Sequence, residues 1–408
     1  MKTRVEPGTD IVFIPYMSDH ARPVAAAMRG MGIAAQVLPP PDQESMNIGL
    51  GLCHGRECLP CFLCTGDMLR KCREPGFDRN RAVFFMPAGP GPCRFGQVSV
   101  LQRQILAEEG LAEVRLVSPG TDDSYSMFGD DPTTLRKRAW QAIVAADLLA
   151  KVLHEHRPYE LAPGSADAAY AACLDRIETA AEAGCEDHLV EAMAWTADRF
   201  SELPIDRSEP RPLIAVMGEI YLMLSEPANT RVVRAIESVG GEVILGTFMD
   251  YLHFVDWRRM DLSRRFGNYL EFFKGFLSDT YQTRAEDRLT KPLHKVLRHP
   301  REESIPKAMA RLDPHYETVL GTEAVLTMAR CLDLAQHGLS GVVNVLPFSC
   351  MPGTVVSSMA PRIREQMDQI PWLDIAYDGQ EETNVMTRLE AFIHQALQFH
   401  RRVVLTRD

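Results

Sequence analysis

Ile11-Val12-Phe13-Ile14-Pro15, Ser18-Asp19-His20, Ala21 to Met31 and Ile33 to Leu38 follow one another near the start of the chain, and their order decides the fold class. The first run is short, β-branched and aromatic, as a strand requires. Ser18-Asp19-His20 reads as a capping signal, Ala21 to Met31 as a helix closed by Gly32, and Ile33 to Leu38 as the next strand. Strand, helix, strand is the rhythm of a parallel sheet, because parallel neighbours need a crossover long enough to hold a helix.

Outward from this unit the rhythm continues. Arg81 to Pro87 is expected as a third strand, Gly89-Pro90-Gly91-Pro92-Cys93 as a loop, Arg94 to Glu109 as a helix and Val114 to Val117 as a fourth strand. From Pro132 to Leu203 the pattern turns to Ala-rich helical periodicity, and Cys173 and Cys185 within it read as core filler. Pro212 to Met217 restarts the strands, Pro227 to Val239 reads as a helix stopped by Gly240-Gly241, and Glu242 to Leu245 as a strand. A mostly helical, aromatic-rich region follows, from Tyr251 to about Leu312. Then come a helix from Glu323 to His337 containing Cys331, a strand from Gly341 to Leu346, a loop from Phe348 to Gly353, a helix from Thr354, a strand near Leu373 to Tyr377 and a helix from Glu382 to Phe399. The expected architecture is α/β: an N-terminal lobe over 1–131, a helical insert over 132–207 and a C-terminal lobe over 208–408.

One internal likeness stands out. Val83-Phe84-Phe85-Met86-Pro87 leads through a Gly/Pro loop to Cys93 and a helix, and Val342-Val343-Asn344-Val345-Leu346-Pro347 leads through a short loop to Cys350 and a helix. Both put a cysteine just beyond a strand's carboxyl end, where open α/β sheets bind ligands. Either the lobes are distant repeats whose ligand edges face one another, or two short strands are alike by chance.

With 408 residues the chain exceeds one comfortable core, so two or three domains are expected. A net charge of −11 argues against a nucleic-acid backbone as partner. The N-terminus lacks an apolar core of signal-peptide length, and no apolar run reaches membrane-spanning length, so a cytoplasmic protein is expected. In a reducing compartment cysteines serve better as metal ligands or redox groups than as disulfides.

Gly51-Leu52-Cys53-His54-Gly55-Arg56-Glu57-Cys58-Leu59-Pro60-Cys61-Phe62-Leu63-Cys64-Thr65-Gly66-Asp67 holds four of the ten cysteines. Soft thiolates select zinc, copper(I) or iron–sulfur clusters; the competing reading is a loop of small buried apolar residues. Cys58-x-x-Cys61-x-x-Cys64 begins like a bacterial ferredoxin run, but that run needs a fourth cysteine three residues on, and here the next is Cys72. A structural zinc site wants a second paired element, which is missing downstream, and a lone Cys-x-x-Cys carries little redox information. Pro60, Pro92 and Pro352 stand beside Cys61, Cys93 and Cys350, so these cysteines are expected near helix starts, whose N–H groups and dipole stabilise anions by ~0.3–1 kcal/mol. Neither a Walker A sequence nor a Gly-x-Gly-x-x-Gly fingerprint occurs. His54, Glu57, Asp67 and Arg94 are candidates for proton transfer or anion binding, against the plainer reading of capping and solvated loop residues.

With these residues in hand, the chain resembles the 2-hydroxyacyl-CoA dehydratase superfamily, especially the branch found beside or fused to CoA-substrate enzyme activases. The resemblance rests on Glu57-Cys58-Leu59-Pro60 with Thr65-Gly66-Asp67, on Gly91-Pro92-Cys93-Arg94-Phe95-Gly96-Gln97, on Gly218-Glu219-Ile220-Tyr221, on Leu346-Pro347-Phe348-Ser349-Cys350-Met351-Pro352-Gly353 and on Thr387-Arg388-Leu389-Glu390-Ala391-Phe392. It implies two Rossmann-like lobes with helical additions and an oxygen-sensitive iron–sulfur cluster between them, of [4Fe-4S] or double-cubane type. It also implies low-potential electrons from a separate ATP-hydrolysing activase docking across the cleft, with a homodimer compatible with that arrangement. Carried over by motif, the cluster ligands are Cys58, Cys93 and Cys350. Cys53, Cys61 and Cys64 are extra thiols that either extend the ligand set towards a double cubane or are simply neighbours. The implied activity is reduction or dehydration of a small substrate such as an acyl-CoA. The alternatives are a non-catalytic iron–sulfur electron-transfer or scaffold subunit, or a zinc-binding thiol protein.

Overall fold

Short runs of β-branched and aromatic residues build two four-stranded sheets, each wholly parallel and each flanked by helices. The computed structural model describes residues 4–89, 93–120, 125–129, 131–298, 302–380 and 384–406, and the backbone alone at Leu320. By internal contacts the chain divides into two units, residues 1–146 with 175–189, and residues 147–174 with 190–408.

In the first unit the order is β1 (Ile11–Ile14), α1 (Ala21–Arg29), β2 (Ala34–Val37), α2 (Gln43–Leu52), α3 (Leu59–Cys72), β3 (Ala82–Phe85), α4 (Phe95–Glu108) and β4 (Arg115–Val117). The strands lie in the order β2-β1-β3-β4, with Ile11 opposite both Ala34 and Ala82. Val12 and Ile14 of β1, Val83 of β3 and Val117 of β4 form a core with Ala21, Ala25 and Met28 of α1. Ser18 does not cap α1 through its side chain, as expected from sequence: its hydroxyl bonds His20 Nδ1 at 2.8 Å, and its carbonyl accepts from the Ala21 amide.

The helical insert is α5 (Pro132–His156), α6 (Ser165–Ala183) and α7 (Glu186–Ser201), and the division between the two units falls within all three. Cys173 is buried as expected, but Cys185 is exposed, because it precedes α7 instead of lying on a packed helix face.

The second unit runs β5 (Leu213–Gly218), α8 (Ile220–Leu224), α9 (Val232–Ser238), β6 (Glu242–Leu245), α10 (Phe248–Arg265), α11 (Tyr269–Thr290), α12 (Ile305–Leu312), α13 (Glu323–Leu334), β7 (Leu339–Pro347), α14 (Met351–Glu365), β8 (Trp372–Tyr377) and α15 (Val385–Phe399). Its strand order is β6-β5-β7-β8, the same permutation as in the first sheet. All of β7 is buried, Ser340 and Asn344 included, which explains why the rest of the strand is apolar or glycine. Ala215, Met217, Val342, Met328 and Leu332 belong to the core between this sheet and α13. The helix expected from Pro227 begins only at Val232: Thr230 and Arg231 are left-handed, and Asn229 instead ties its side chain to the Leu222 carbonyl (2.7 Å) and the Val232 amide (3.2 Å). Glu382, the expected start of the last helix, lies outside the described residues. Among the described residues no helix is long and apolar enough to cross a membrane.

Candidate functional site

The cysteine-rich stretch is not a loop but the turn of a helical hairpin. Asp42 caps α2 by accepting from the Ser45 amide at 3.0 Å, and α3 packs back against α2 with backbones almost touching. A Cβ on Gly49 would stand 2.0 Å from the Phe62 carbonyl oxygen, and one on Gly66 1.8 Å from that of Ser45, so only glycine permits this approach. Cys53 ends α2 and Cys58 is the N-cap of α3, both half-buried; Cys61 and Cys64 follow one helical turn apart on a buried face. The Cys61 thiol donates to Cys53, an interaction that lowers Cys53 and, with burial and the nearby sulfurs of Cys53, Cys58 and Cys64, raises Cys61. The four sulfurs therefore share one neighbourhood, with Cys53 the readier to ionise of that bonded pair.

Cys93 reaches the same region. Arg94 donates to the Arg56 carbonyl, tying the start of α4 to the hairpin turn, and Gln102 donates to the Thr65 hydroxyl at 3.4 Å further along the same helices. Since α3 leads towards the amino end of β3, its own N-terminus lies on the carboxyl side of the sheet, as does Cys93, which follows β3. Gly91 and Pro92, part of the motif around Cys93, lie outside the described residues. Arg94 is the N-cap of α4, so Cys93 stands one residue outside the helix and is exposed.

The charged candidates separate. His54 is exposed, with Nδ1 3.8 Å from Glu57. Asp67 is not at the cysteine turn but roughly 13 Å along α3 from Cys58, fully buried, its Oδ1 accepting from Ser45 at 2.5 Å while Oδ2 has no hydrogen-bond partner. Burial pushes its carboxyl up to about 6. Thr65, Gly66 and Asp67 thus hold α2, α3 and α4 together.

In the second unit Cys350 is the N-cap of α14, half-buried, so Met351-Pro352-Gly353 is the first turn of that helix and not a loop. Ser349 adopts a left-handed conformation (φ 59°), a costly state for a residue with a Cβ, which turns the chain sharply from β7 into α14. The Cys350 carbonyl accepts from the Thr354 amide (2.9 Å) and hydroxyl (2.7 Å). None of α3, α4 and α14 has a side-chain cap; the Cys61, Gly96 and Gln97 amides turn back onto the Cys58, Cys93 and Arg94 carbonyls, and the first helical amides, of Leu59, Phe95 and Met351, stand beside the three cysteines.

Beside Cys350 on the carboxyl edge lies the end of β5. Gly218 (φ 132°) allows the crossing onto β7, since a Cβ there would stand 2.0 Å from the Val345 carbonyl oxygen. The Glu219 amide donates to that same oxygen at 2.9 Å, and its carboxylate accepts from the amides of Tyr221 and Leu222. Burial pushes Glu219 up to about 6; burial and the Glu219 charge push Glu323, in the first turn of α13, well above the usual range. Both keep part of their surface open. Met217, Ile220, Met223 and Leu326 form apolar walls of a cavity there with Glu323 and Thr327, and Arg330 closes it while bonding both Asp250 oxygens (2.6 and 2.5 Å). The cavity offers about 30 Å³, room for about two waters. Sequence reasoning quoted Glu219 within a motif without a role and passed over Glu323, whose partner is over a hundred residues away.

Cys58 and Cys93 are thus brought to one edge of the first sheet and Cys350 to the corresponding edge of the second. Cys72 and Cys331 are core thiols that burial pushes up to about 12. Among the described residues no group of three His, Cys, Asp or Glu side chains converges as the ligands of a metal ion would. The donor chemistry fits an iron–sulfur group: sulfurs at or near the surface, beside uncapped helix starts that favour an anion. No family model matches the chain, and a search of curated proteins finds no match either.

Proposed function

We propose that the chain is an iron–sulfur protein of the 2-hydroxyacyl-CoA dehydratase type, which reduces or dehydrates a small substrate, an acyl-CoA being one candidate, with electrons from a separate ATP-hydrolysing activase. The observation that carries the reading is the repeated placement of Cys58 and Cys93 in one unit, and Cys350 in the other, at uncapped helix starts on the ligand-binding edge of identically ordered sheets. When bound, a cluster of [4Fe-4S] or double-cubane type would supply low-potential one-electron chemistry. The residues to hold it are Cys58, Cys93 and Cys350, with Cys53, Cys61 and Cys64 the reserve in the first unit. Work in the cytoplasm, where the cysteines stay thiols, belongs to this proposal.

The chain's own contribution to chemistry is protons. Glu219 and Glu323 are carboxyls raised by burial, which favours the protonated form of each, beside a cavity with apolar walls on the edge that carries Cys350. An activase is needed on this reading because ~59 mV is tenfold in a one-electron equilibrium, so a gap of a few hundred millivolts cannot be closed by donor concentration.

The test is analysis of anaerobically prepared protein for iron, acid-labile sulfide and zinc. Iron with sulfide is expected. Zinc without sulfide overturns the reading.

A further inference from the structure

The turn of the α2–α3 hairpin sets two thiols against each other, and the backbone supplies the reason. Gly49 and Cys53 stand one helical turn apart at the end of α2, and Cys61 and Phe62 are consecutive at the start of α3. The close approach of Gly49 to the Phe62 carbonyl therefore carries the end of α2 onto the first turn of α3. Both cysteines are fixed there through their amides, Cys53 donating to the Gly49 carbonyl and Cys61 to that of Cys58, each at 2.9 Å.

The two side chains are unequal. Cys53 is half-buried, and its sulfur accepts from the Cys61 thiol and from the hydroxyl of Thr65, one turn further along α3. Cys61 is buried behind it. Cys58 and Cys64 act on Cys61 through their charge, whereas Cys53 is bonded to it. An outer sulfur open to solvent and backed by an inner thiol in contact with it is the arrangement of a reversible redox pair: the first meets the oxidant, and the second resolves the product before it climbs to an irreversible acid. Sulfurs already in hydrogen-bond contact need little backbone movement to bond.

We propose that Cys53 and Cys61 form a peroxide-sensitive disulfide that locks the turn of the hairpin. The Cys53 sulfur attacks an oxygen of hydrogen peroxide, the O–O bond breaks, and hydroxide leaves with the thiol proton as water, giving a sulfenic acid. The Cys61 sulfur then attacks the Cys53 sulfur, the S–O bond breaks, and the hydroxyl leaves with the Cys61 proton as a second water. Two thiols are oxidised by two electrons, and the peroxide is reduced by the same two. This goes beyond the iron–sulfur reading and does not depend on it, since the ligands that the motifs assign are Cys58, Cys93 and Cys350 and the lock needs neither iron nor an activase.

The test uses the full chain, reduced and freed of metal by a chelator, so that its outcome is separate from the iron and sulfide analysis. A few equivalents of hydrogen peroxide are added, remaining thiols are alkylated in denaturant, and the unreduced tryptic digest is read by mass spectrometry. Arg56 lies between Cys53 and Cys58, so trypsin separates Cys53, in residues 30–56, from Cys58, Cys61 and Cys64, in residues 57–70. The two peptides should be joined, lighter by two hydrogens than the separate pair, and dithiothreitol should part them. Fragmentation should place the bond on Cys61, and Cys58→Ser and Cys64→Ser should keep it. Cys61→Ala, with its fold checked by circular dichroism, should leave Cys53 as a sulfenic acid trapped by dimedone at least about tenfold more than in the wild type. In Cys53→Ser, Cys61 should stay a thiol. Peptides that remain separate, a bond confined to residues 57–70, or a bond from Cys53 to Cys58 or Cys64 overturns the inference.

Discussion

The two sheets have one strand order and different endings. After the third strand of the first sheet, residues 86–94 intervene before α4, and Cys93 stands exposed outside the helix. After the third strand of the second, only residues 348–350 intervene, and Cys350 is itself the N-cap, fixed by the left-handed turn at Ser349. Parallel topology decides where a ligand edge falls, but loop length decides how firmly a side chain is held there. What each lobe adds also differs: the first contributes a helical hairpin with sulfurs at its turn, the second two raised carboxyls and a small cavity.

The sharpest way to break this comparison is to remove one sulfur from each lobe. Cys93→Ser and Cys350→Ser should each lose most of the bound iron, and Cys58→Ser likewise, whereas Cys173→Ala and Cys331→Ala should keep it. Iron per chain measures this. Loss from one lobe's variants alone would confine the site to that lobe, and equal loss from all five would mean general destabilisation.

Next in size are the close approaches. Gly218→Ala would drive a Cβ into the Val345 carbonyl oxygen from a positive φ and should cost about 3 kcal/mol. Gly66→Ala, which only forces α3 off α2, should cost about 2 kcal/mol. Urea unfolding followed by circular dichroism should rank them in that order. A neutral Gly66→Ala would show that the hairpin has slack and that its sulfurs are not rigidly held.

Each lobe also carries a buried carboxyl pushed up to about 6, Asp67 in the first and Glu219 in the second. For both, the folded state keeps a proton that the unfolded chain gives up near pH 4. Stability is therefore full below that value and falls as pH rises through about 6. The fall is about 3 kcal/mol for fully buried Asp67 and at most about 2 kcal/mol for the partly open Glu219. Asp67→Asn and Glu219→Gln should each flatten the corresponding part of the pH dependence of the urea midpoint between pH 4 and 7. Unchanged slopes would show these groups ionised throughout. Only Glu219→Gln should also alter the pH profile of turnover, because Asp67 lies within the packing of α2, α3 and α4.

The smallest effect expected is Arg94→Ala, which removes the bond to the Arg56 carbonyl at the surface of the first lobe. About 1 kcal/mol of stability should go. Iron binding should weaken more than stability if that bond keeps Cys93 near the hairpin turn, and equal effects would leave Arg94 a merely local tie.

By itself the sequence determined the strands, their parallel sense and the two cysteines beyond third strands. Those signals are local: β-branched runs, helices between them and a proline in the first turn are written in consecutive residues. The α2–α3 hairpin was not legible, because its marks are Gly49 and Gly66, and a glycine does not say which backbone will press against it. The break at Thr230 and Arg231 was hidden because Asn229 finds its partners seven residues back, on another helix. Glu323 could not be singled out, since its raised carboxyl comes from burial and from Glu219, which only the packing of α13 beside the end of β5 brings near. The region from Tyr251 to about Leu312 read only as helical and aromatic-rich, and the tertiary structure alone left Phe273, Phe276 and Leu277 of α11 facing outward. Periodicity records that a side chain is apolar; which surface covers it is settled by contacts between segments far apart in sequence.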